Sequence, residues 1–498
     1  MALPVPLLGG NWPDPSVIRD GEGYAAVTTS AGWAPSFRVL RSPDLRSWQI
    51  AGSVFRRPPR WAKGDFWAPE LTRLGSGYAV YYSARPRRRP GSSYCLGVAT
   101  ARTASGPYRD RGRPLRCSRQ GSIDPFAVRD ERGRLNLLWK EDGNAFGRPT
   151  PILAQRLSRD GRRLRGSPHR LIRNGAPWER RVVEAPAVIR RDGWFYLFYS
   201  GNLCCTKRCR YAVGVARSRT LLGRWRKFRG NPILRGGNGW RCPGHTSVLS
   251  DGADGFQAIF HAYRPGAGLL LGRQMLADEV TFRRDGWPRI GDGRPPAPLA
   301  GAASTAFSDA FDERRLAPEW EWPVERVPGR RTGAGLRLTA PPRAGKRVDA
   351  GLLSRRVGTD RYVATAVVDR RALRGRALGG LAFYRSRLAA VGAAVGRRRL
   401  IVWRRSSGRL RLIAARRAPR TGQVHLRMRA RGRRMRFEVS ADGSAWRLLG
   451  PAVRTPVEES GRLTLTAGGS RRAVARFVRA DLMEGTAPAV PVPPPAGP

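Results

Sequence analysis

Lysine is nearly missing from this chain. It occurs only at Lys63, Lys140, Lys207, Lys227 and Lys346, yet Lys plus Arg total 93 against 37 Asp plus Glu, a net charge of +56. The positive charge is therefore arginine, spread through turns and strands over the whole length. A nucleic-acid surface needs its basic residues gathered on one face or helix, so no specific nucleic-acid partner is expected. Dispersed arginine supports only salt-sensitive attraction to polyanions. Long apolar runs are also missing. The best, Leu388 to Val395, is short and diluted by Ala and Gly, well below the ~20 residues of a membrane helix, and no membrane partner is expected. No useful stretch of the first 290 residues carries a helical period. The N-terminus shows neither a basic n-region nor a long apolar h-region, so no secretion signal is visible.

Cysteine is sparse and confined to the first half. The six are Cys95, Cys117, Cys204, Cys205, Cys209 and Cys242. The run Cys204-Cys205-Thr206-Lys207-Arg208-Cys209 lacks the paired-knuckle spacing of a zinc site. An even number favours disulfides and with them an oxidising, extracellular setting. Cys95 lies in the strand Tyr94 to Ala99, and Cys117 ends the next extended segment, a placement suited to a hairpin-like bridge. The other four gather around a later hairpin and the approach to His245.

What the chain does have is repetition. Asn11-Trp12-Pro13-Asp14-Pro15-Ser16-Val17-Ile18-Arg19-Asp20 returns as Asp124-Pro125-Phe126-Ala127-Val128-Arg129-Asp130. It returns again as Glu184-Ala185-Pro186-Ala187-Val188-Ile189-Arg190, with the acid one place ahead. Ala68-Pro69-Glu70-Leu71 and His245-Thr246-Ser247-Val248-Leu249 are weaker copies. Each copy is followed by a Gly-containing turn and a second apolar run: Tyr24 to Val27, Tyr78 to Tyr82, Leu135 to Trp139, Trp194 to Tyr199 and Phe256 to Phe260. The period of about 55–60 residues suits one small sheet per unit of a bladed array.

These features predict an all-β chain. At 498 residues it is too long for one ordinary core, and 41% apolar content with 15 Trp suffices for two. A five-bladed β-propeller is expected over 1–292, then a Gly/Pro/Ala-rich linker over 293–305. A β-sandwich is expected over 306–484, from short alternating strands such as Tyr362 to Val368, Leu400 to Trp403 and Arg436 to Ser440. A Pro/Ala-rich tail covers 485–498.

In a propeller the first strand of every blade lines the central channel. Asp14, Asp124, Glu184 and His245 all stand at first-strand starts, so three carboxylates and an imidazole should converge on one channel mouth. Glu70 stands one place past its proline, and strand alternation turns it to the other side; a structural role is expected for it.

The ordered set Trp12-Pro13-Asp14-Pro15, Trp67-Ala68-Pro69-Glu70, Ser122-Ile123-Asp124-Pro125, Val183-Glu184-Ala185-Pro186, Gly244-His245-Thr246-Ser247-Val248 and Asp285-Gly286-Trp287-Pro288 resembles glycoside hydrolase family 43. Phe307-Ser308-Asp309-Ala310-Phe311 and Ser440 to Trp446 resemble, more loosely, the concanavalin-like sandwich appended to some β-xylosidases of that family. The resemblance implies inverting hydrolysis of α-L-arabinosyl or β-D-xylosyl linkages in plant-type poly- or oligosaccharides. Asp14 would be the general base, Glu184 the general acid and Asp124 the residue that orients the acid and raises its pKa. Inversion needs its two carboxyls ~6.5–9.5 Å apart, room for a sugar and a water. Trp67 and Phe126 are candidate apolar walls for the sugar. His245 would sit on the axis near a water or cation, and Arg273 matches a family position near the active centre. No cofactor is required; the resemblance admits a calcium or sodium ion on the propeller axis, with His245 as its one candidate ligand. The competing reading is a non-catalytic glycan-binding propeller, since fold does not fix function.

Overall fold

The computed structural model describes residues 3–88, 94–205, 208–250, 255–265, 270–298, 305–313, 315–326, 331–332, 335–457 and 460–485. Part of the expected linker (299–304) and nearly all of the expected tail (486–498) lie outside the described residues. The chain divides into two compact units, the first built chiefly from Trp12–Pro265 and Arg273–Leu299, the second chiefly from Ala300–Pro498.

The first unit is a five-bladed propeller. Blade one comprises Ser16–Asp20, Gly23–Val27, Ser36–Ser42 and Gln49–Phe55. Blade two comprises Ala62–Leu74, Gly77–Pro86 and Cys95–Ala101, with Arg109–Asp110 and Arg116–Cys117 sharing its outer edge. Blade three runs through Ser122–Arg129, Leu135–Glu141, Pro151–Leu157 and Leu164–Arg173. Blade four holds Val183–Arg191, Trp194–Gly201, Ala212–Ser218 and Arg226–Lys227. Blade five holds Arg241–Ser250, Phe256–Tyr263, Gln274–Phe282 and Pro288–Ile290. Neighbouring strands are antiparallel throughout, as short hairpin turns require. The five first strands touch in sequence and the fifth meets the first, which closes the ring.

Apolar faces packed blade against blade hold the ring together. Phe37 and Phe55 of blade one meet Phe66 and Tyr82 of blade two, with ring centroids 5.2–6.0 Å apart. Tilted and edge-on pairs of this kind contribute about 0.5–1.5 kcal/mol each beyond burial. Tyr81 and Val98 pack with Leu137 and Trp139 between blades two and three. Phe198 and Val215 pack with Phe260 between blades four and five. Val17 and Leu40 pack with Ile259 and Met275 where the ring closes.

The expected Cys95–Cys117 bridge is present, between directly paired residues of blade two. The remaining four cysteines form Cys204–Cys205 and Cys209–Cys242. The second of these ties blade four to the first strand of blade five.

The second unit is a sandwich of two antiparallel sheets. One is centred on Arg361–Asp369, Gln423–Arg431 and Val474–Glu484; the other on Gly351–Arg356, Arg462–Gly468, Leu378–Ser386, Ala389–Gly396 and Arg399–Ser406. Ala364, Ala366 and Val368 share a core with Leu381, Phe383, Val391 and Ala393. Arginine is built into this unit. Arg405 makes a buried two-point contact with Asp349 at 2.8 and 3.1 Å, and Arg356 and Arg462 each reach Glu321 at 3.0 Å. The planar guanidinium suits such buried pairing better than an ammonium.

Candidate active site

A local kink recurs in every blade. Asp14, Ala68, Asp124, Ala185 and His245 all have positive φ, between 45° and 55°. Four of the five precede a proline. Such conformations cost about 1–3 kcal/mol each for residues with a side chain and cluster where function demands them. Glu184 is thus not in the slot of Asp14 and Asp124; it stands one residue before the kink, opposite Ser200. The corresponding residue of blade two is Trp67, opposite Ser83.

The kink also corrects the expectation for Glu70. The first strand of blade two slips register between Gly64 and Trp67 and again between Trp67 and Glu70. Simple alternation therefore fails, and Glu70 lines the same axial cavity as Ser16, Asp124, Phe126, His245 and Ser247. The Ser16 hydroxyl donates to Glu70 at 2.7 Å. Burial outweighs that bond and pushes the Glu70 carboxyl up to about 8.

Each kink frees a backbone N–H that must find a partner. Those of Ala68, Asp124 and His245 donate to Thr29 Oγ1 (2.7 Å), Ser83 Oγ (3.1 Å) and Ser200 Oγ (2.9 Å). That of Asp14 donates to His261 Nδ1 (3.2 Å). In each of these cases the acceptor belongs to the preceding blade around the ring. Blade three has Lys140 at this place, opposite Ile123, and an ammonium cannot accept. The Ala185 N–H turns instead to Asp124 Oδ2 at 2.9 Å. Lys140, almost fully buried, reaches Glu184 Oε2 at 2.6 Å and Asp142 Oδ1 at 2.9 Å.

The carboxyls occupy opposed environments. Burial alone would raise Asp14, but Arg273 Nη1 at 2.6 Å from Oδ1 holds it well below the usual carboxylate range. Asp124 is pushed well above that range, by burial first and then by the neighbouring charge of Glu184. Burial disfavours the Lys140 charge, yet Glu184, Asp142 and Asp124 together keep its pKa above the ordinary value. Burial drives both imidazoles down, His261 furthest. A neutral His261 accepts through Nδ1 and carries its proton on Nε2. Tyr211 lies against the same group, its ring stacked 5.9 Å from His261 and its hydroxyl pushed well up by burial and by Glu184 and Asp124. Gly244 is required here: a Cβ would lie 2.2 Å from the Tyr211 ring.

The structure brings together Asp14, Asp124, Glu184, His245 and Arg273. His245 Nδ1 lies 3.5 Å from Asp14, and its titration responds to both Asp14 and Glu184. Phe126 lines the axial cavity below. Trp67 is half-buried and stacks on Tyr94 at 4.3 Å. Lys140, His261 and Tyr211 are members of the site that the motif reading missed. Among the described residues no three His, Cys, Asp or Glu side chains gather as ligands of one cation. The axial cavity holds His245 with two carboxyls, Glu70 and Asp124, that burial pushes toward their neutral forms; these do not make the charged, oxygen-rich shell calcium takes, so the side chains present do not fit an axial ion by themselves.

Residues 3–288 match the model of glycosyl hydrolases family 43, and 308–461 match that of the beta xylosidase C-terminal concanavalin A-like domain. Xylosidase/arabinosidase 43B of Humicola insolens is 26% identical, over 90% of this chain and 88% of its own. Extracellular endo-alpha-(1->5)-L-arabinanase 1 of Bacillus subtilis is 26% identical over 55% of this chain and 86% of its own. The crystal structure of xylan beta-1,4-xylosidase from Bacillus Halodurans C-125 superposes with a TM-score of 0.81 at 20% identity, covering 97% of this chain and 100% of that one.

Proposed function

The chain belongs to glycosyl hydrolase family 43, and on that premise we propose that it hydrolyses α-L-arabinosyl or β-D-xylosyl linkages with inversion. The relatives named as arabinanase, arabinofuranosidase and xylosidase support that substrate range. The observation that carries the mechanism is the opposed treatment of carboxyls in one cluster. Asp14 is held ionised by Arg273, while Asp124 is driven toward its protonated form beside Glu184. Neighbouring groups whose environments push their pKa values apart are the signature of paired base and acid.

Asp14 is the base. Ionised over the working range, it accepts a proton from the water that attacks the anomeric carbon. Glu184 is the acid and delivers a proton to the departing glycosidic oxygen. Asp124, bonded to the Ala185 N–H, is fixed next to Glu184, and burial with the Glu184 charge holds a proton at Asp124, within the carboxyl pair that serves the leaving oxygen. Asp14 ends protonated and Glu184 ionised, and exchange with solvent resets both. Nothing in this sequence passes through an ion on the axis. The substrate is a poly- or oligosaccharide, and three disulfides with relatives named extracellular support an extracellular site of action.

The test is hydrolysis of nitrophenyl α-L-arabinofuranoside, nitrophenyl β-D-xyloside, arabinan and arabinoxylan by the purified chain, with NMR detection of the first anomer released. Turnover of none of them, or release of the retained anomer, overturns this reading.

A further inference from the structure

Cys204 and Cys205 are bonded to each other as sequence neighbours, in the segment that follows the Trp194–Gly201 strand of blade four. Cross-links stabilise mainly by closing chain loops in the unfolded state; a bond between adjacent residues closes none. The nearby Cys209–Cys242 bridge already secures this region to blade five, and the Arg210 N–H closes it onto the Leu203 carbonyl at 3.0 Å. The adjacent pair therefore adds little to the hold of the fold. What it does is present sulfur at the surface: Cys205 is exposed and Cys204 half-buried, whereas Cys95, Cys209 and Cys242 are buried.

Its position is specific. Arg273 Nη1, which donates to Asp14 Oδ1 at 2.6 Å, also lies 3.8 Å from Cys204 Sγ. A single guanidinium nitrogen thus spans the gap between the disulfide and the carboxylate, a gap narrower than a pentose with its hydroxyls. A glycan that offers its anomeric carbon to water at Asp14 on the Arg273 side lies alongside this sulfur.

We propose that the Cys204–Cys205 disulfide is a wall of the glycan pocket, an apolar platform for the C–H face of the pentose bound at Asp14. A disulfide has no hydrogen to donate and accepts only weakly, so it favours a carbon face over a hydroxyl edge. Its contribution is to ground-state and transition-state binding alike, which appears in KM rather than kcat.

This rests on the hydrolase reading, and the experiment separates the two. The Cys204→Ser/Cys205→Ser double variant is compared with the intact chain, and with intact chain mildly reduced at the exposed pair, the bond status read by thiol alkylation and mass. Kinetics are measured on the nitrophenyl arabinoside and xyloside, and Kd by calorimetry on arabinobiose and xylobiose. Loss of the bond is expected to raise KM and Kd about tenfold with kcat changed less than about twofold. Unchanged KM and Kd overturn the platform, as does a fall in kcat alone, which would place the sulfurs' effect on Arg273. If the intact chain hydrolyses neither pentoside, the hydrolase reading fails while the Kd comparison still decides the platform. Absence of disaccharide binding to the intact chain overturns it as well. Should the double variant not fold, the reduced intact chain supplies the same comparison.

Discussion

Lys140 Nζ lies 2.6 Å from Glu184 Oε2, so a shielded ammonium is bonded directly to the carboxyl assigned as the general acid. A cation favours the ionised form of its neighbour, which runs against an acid's need for its proton. Burial and the Glu184 charge raise the neighbouring Asp124 carboxyl while Lys140 lowers it, so the proton held beside Glu184 rests on a balance in which Lys140 is the opposing charge.

Lys140→Met removes the cation from that balance. The alkaline limb of the kcat/KM profile, set by loss of the proton that Asp124 holds beside Glu184, should move to higher pH, because Lys140 lowers that carboxyl. Activity at neutral pH should fall on the order of 10²-fold as Glu184 loses its anchor. A pH–rate profile beside a thermal melt separates this from unfolding. An unshifted alkaline limb in folded variant would remove Lys140 from the proton balance.

The base and the acid should respond differently to the leaving group. Glu184→Gln is expected to lose on the order of 10³-fold in kcat on xylobiose or arabinobiose, and much less on nitrophenyl pentosides, whose leaving group needs no proton. Asp14→Asn should lose activity equally on both. Parallel kinetics on the two substrate types check the assignment.

Arg273→Met takes away the nearest cation from Asp14. Burial then raises the Asp14 carboxyl, and the acidic limb of kcat/KM should climb by about 1–3 pH units. The variant should be most impaired at the acid end of the profile and recover part of the difference as pH rises. Identical acidic limbs in variant and parent would contradict the role of Arg273.

Glu70 makes a prediction about stability. Its folded pKa of about 8 exceeds the ordinary 4.5, so the folded state binds more protons between those values. The associated stability is complete below 4.5 and is lost as pH rises toward 8. Glu70→Gln cannot ionise. The melting temperature of the parent should drop relative to this variant by about 5 °C between pH 5 and pH 8, read by calorimetry.

The ring and its acids were legible because the repeats share residue types: an acid or histidine near a proline, then an apolar pair. The Cys95–Cys117 bridge was legible for a similar reason, as Cys95 lies at the start of one extended segment and Cys117 at the end of the next. Lys140 and His261 were not, because their slot tolerates unlike side chains. Yet a signal existed. Ser83, Lys140, Ser200 and His261 each directly follow the apolar run of a second strand, and Thr29 follows its run after one intervening residue. A polar residue recurring at that step marks the inner end of each second strand. Glu70 was misread because alternation presumes an unbroken pleat, and the left-handed residue Ala68 breaks it. In the sandwich, the strands Leu378–Ser386 and Ala389–Gly396 carry so much Ala and Gly that they lack a strand's usual bulk. Close packing demands it: a Cβ on Gly379 would come within 3.0 Å of both Val368 and Ala475.

The recurring left-handed residue makes the propeller a set of five matching seats around one axis. Aspartate fills two, histidine one, and alanine the two at 68 and 185. The backbone has already adopted, at an idle seat, the shape that elsewhere holds a reacting group. A new acid or imidazole installed at position 68 would enter the same hollow with no rebuilding of the scaffold.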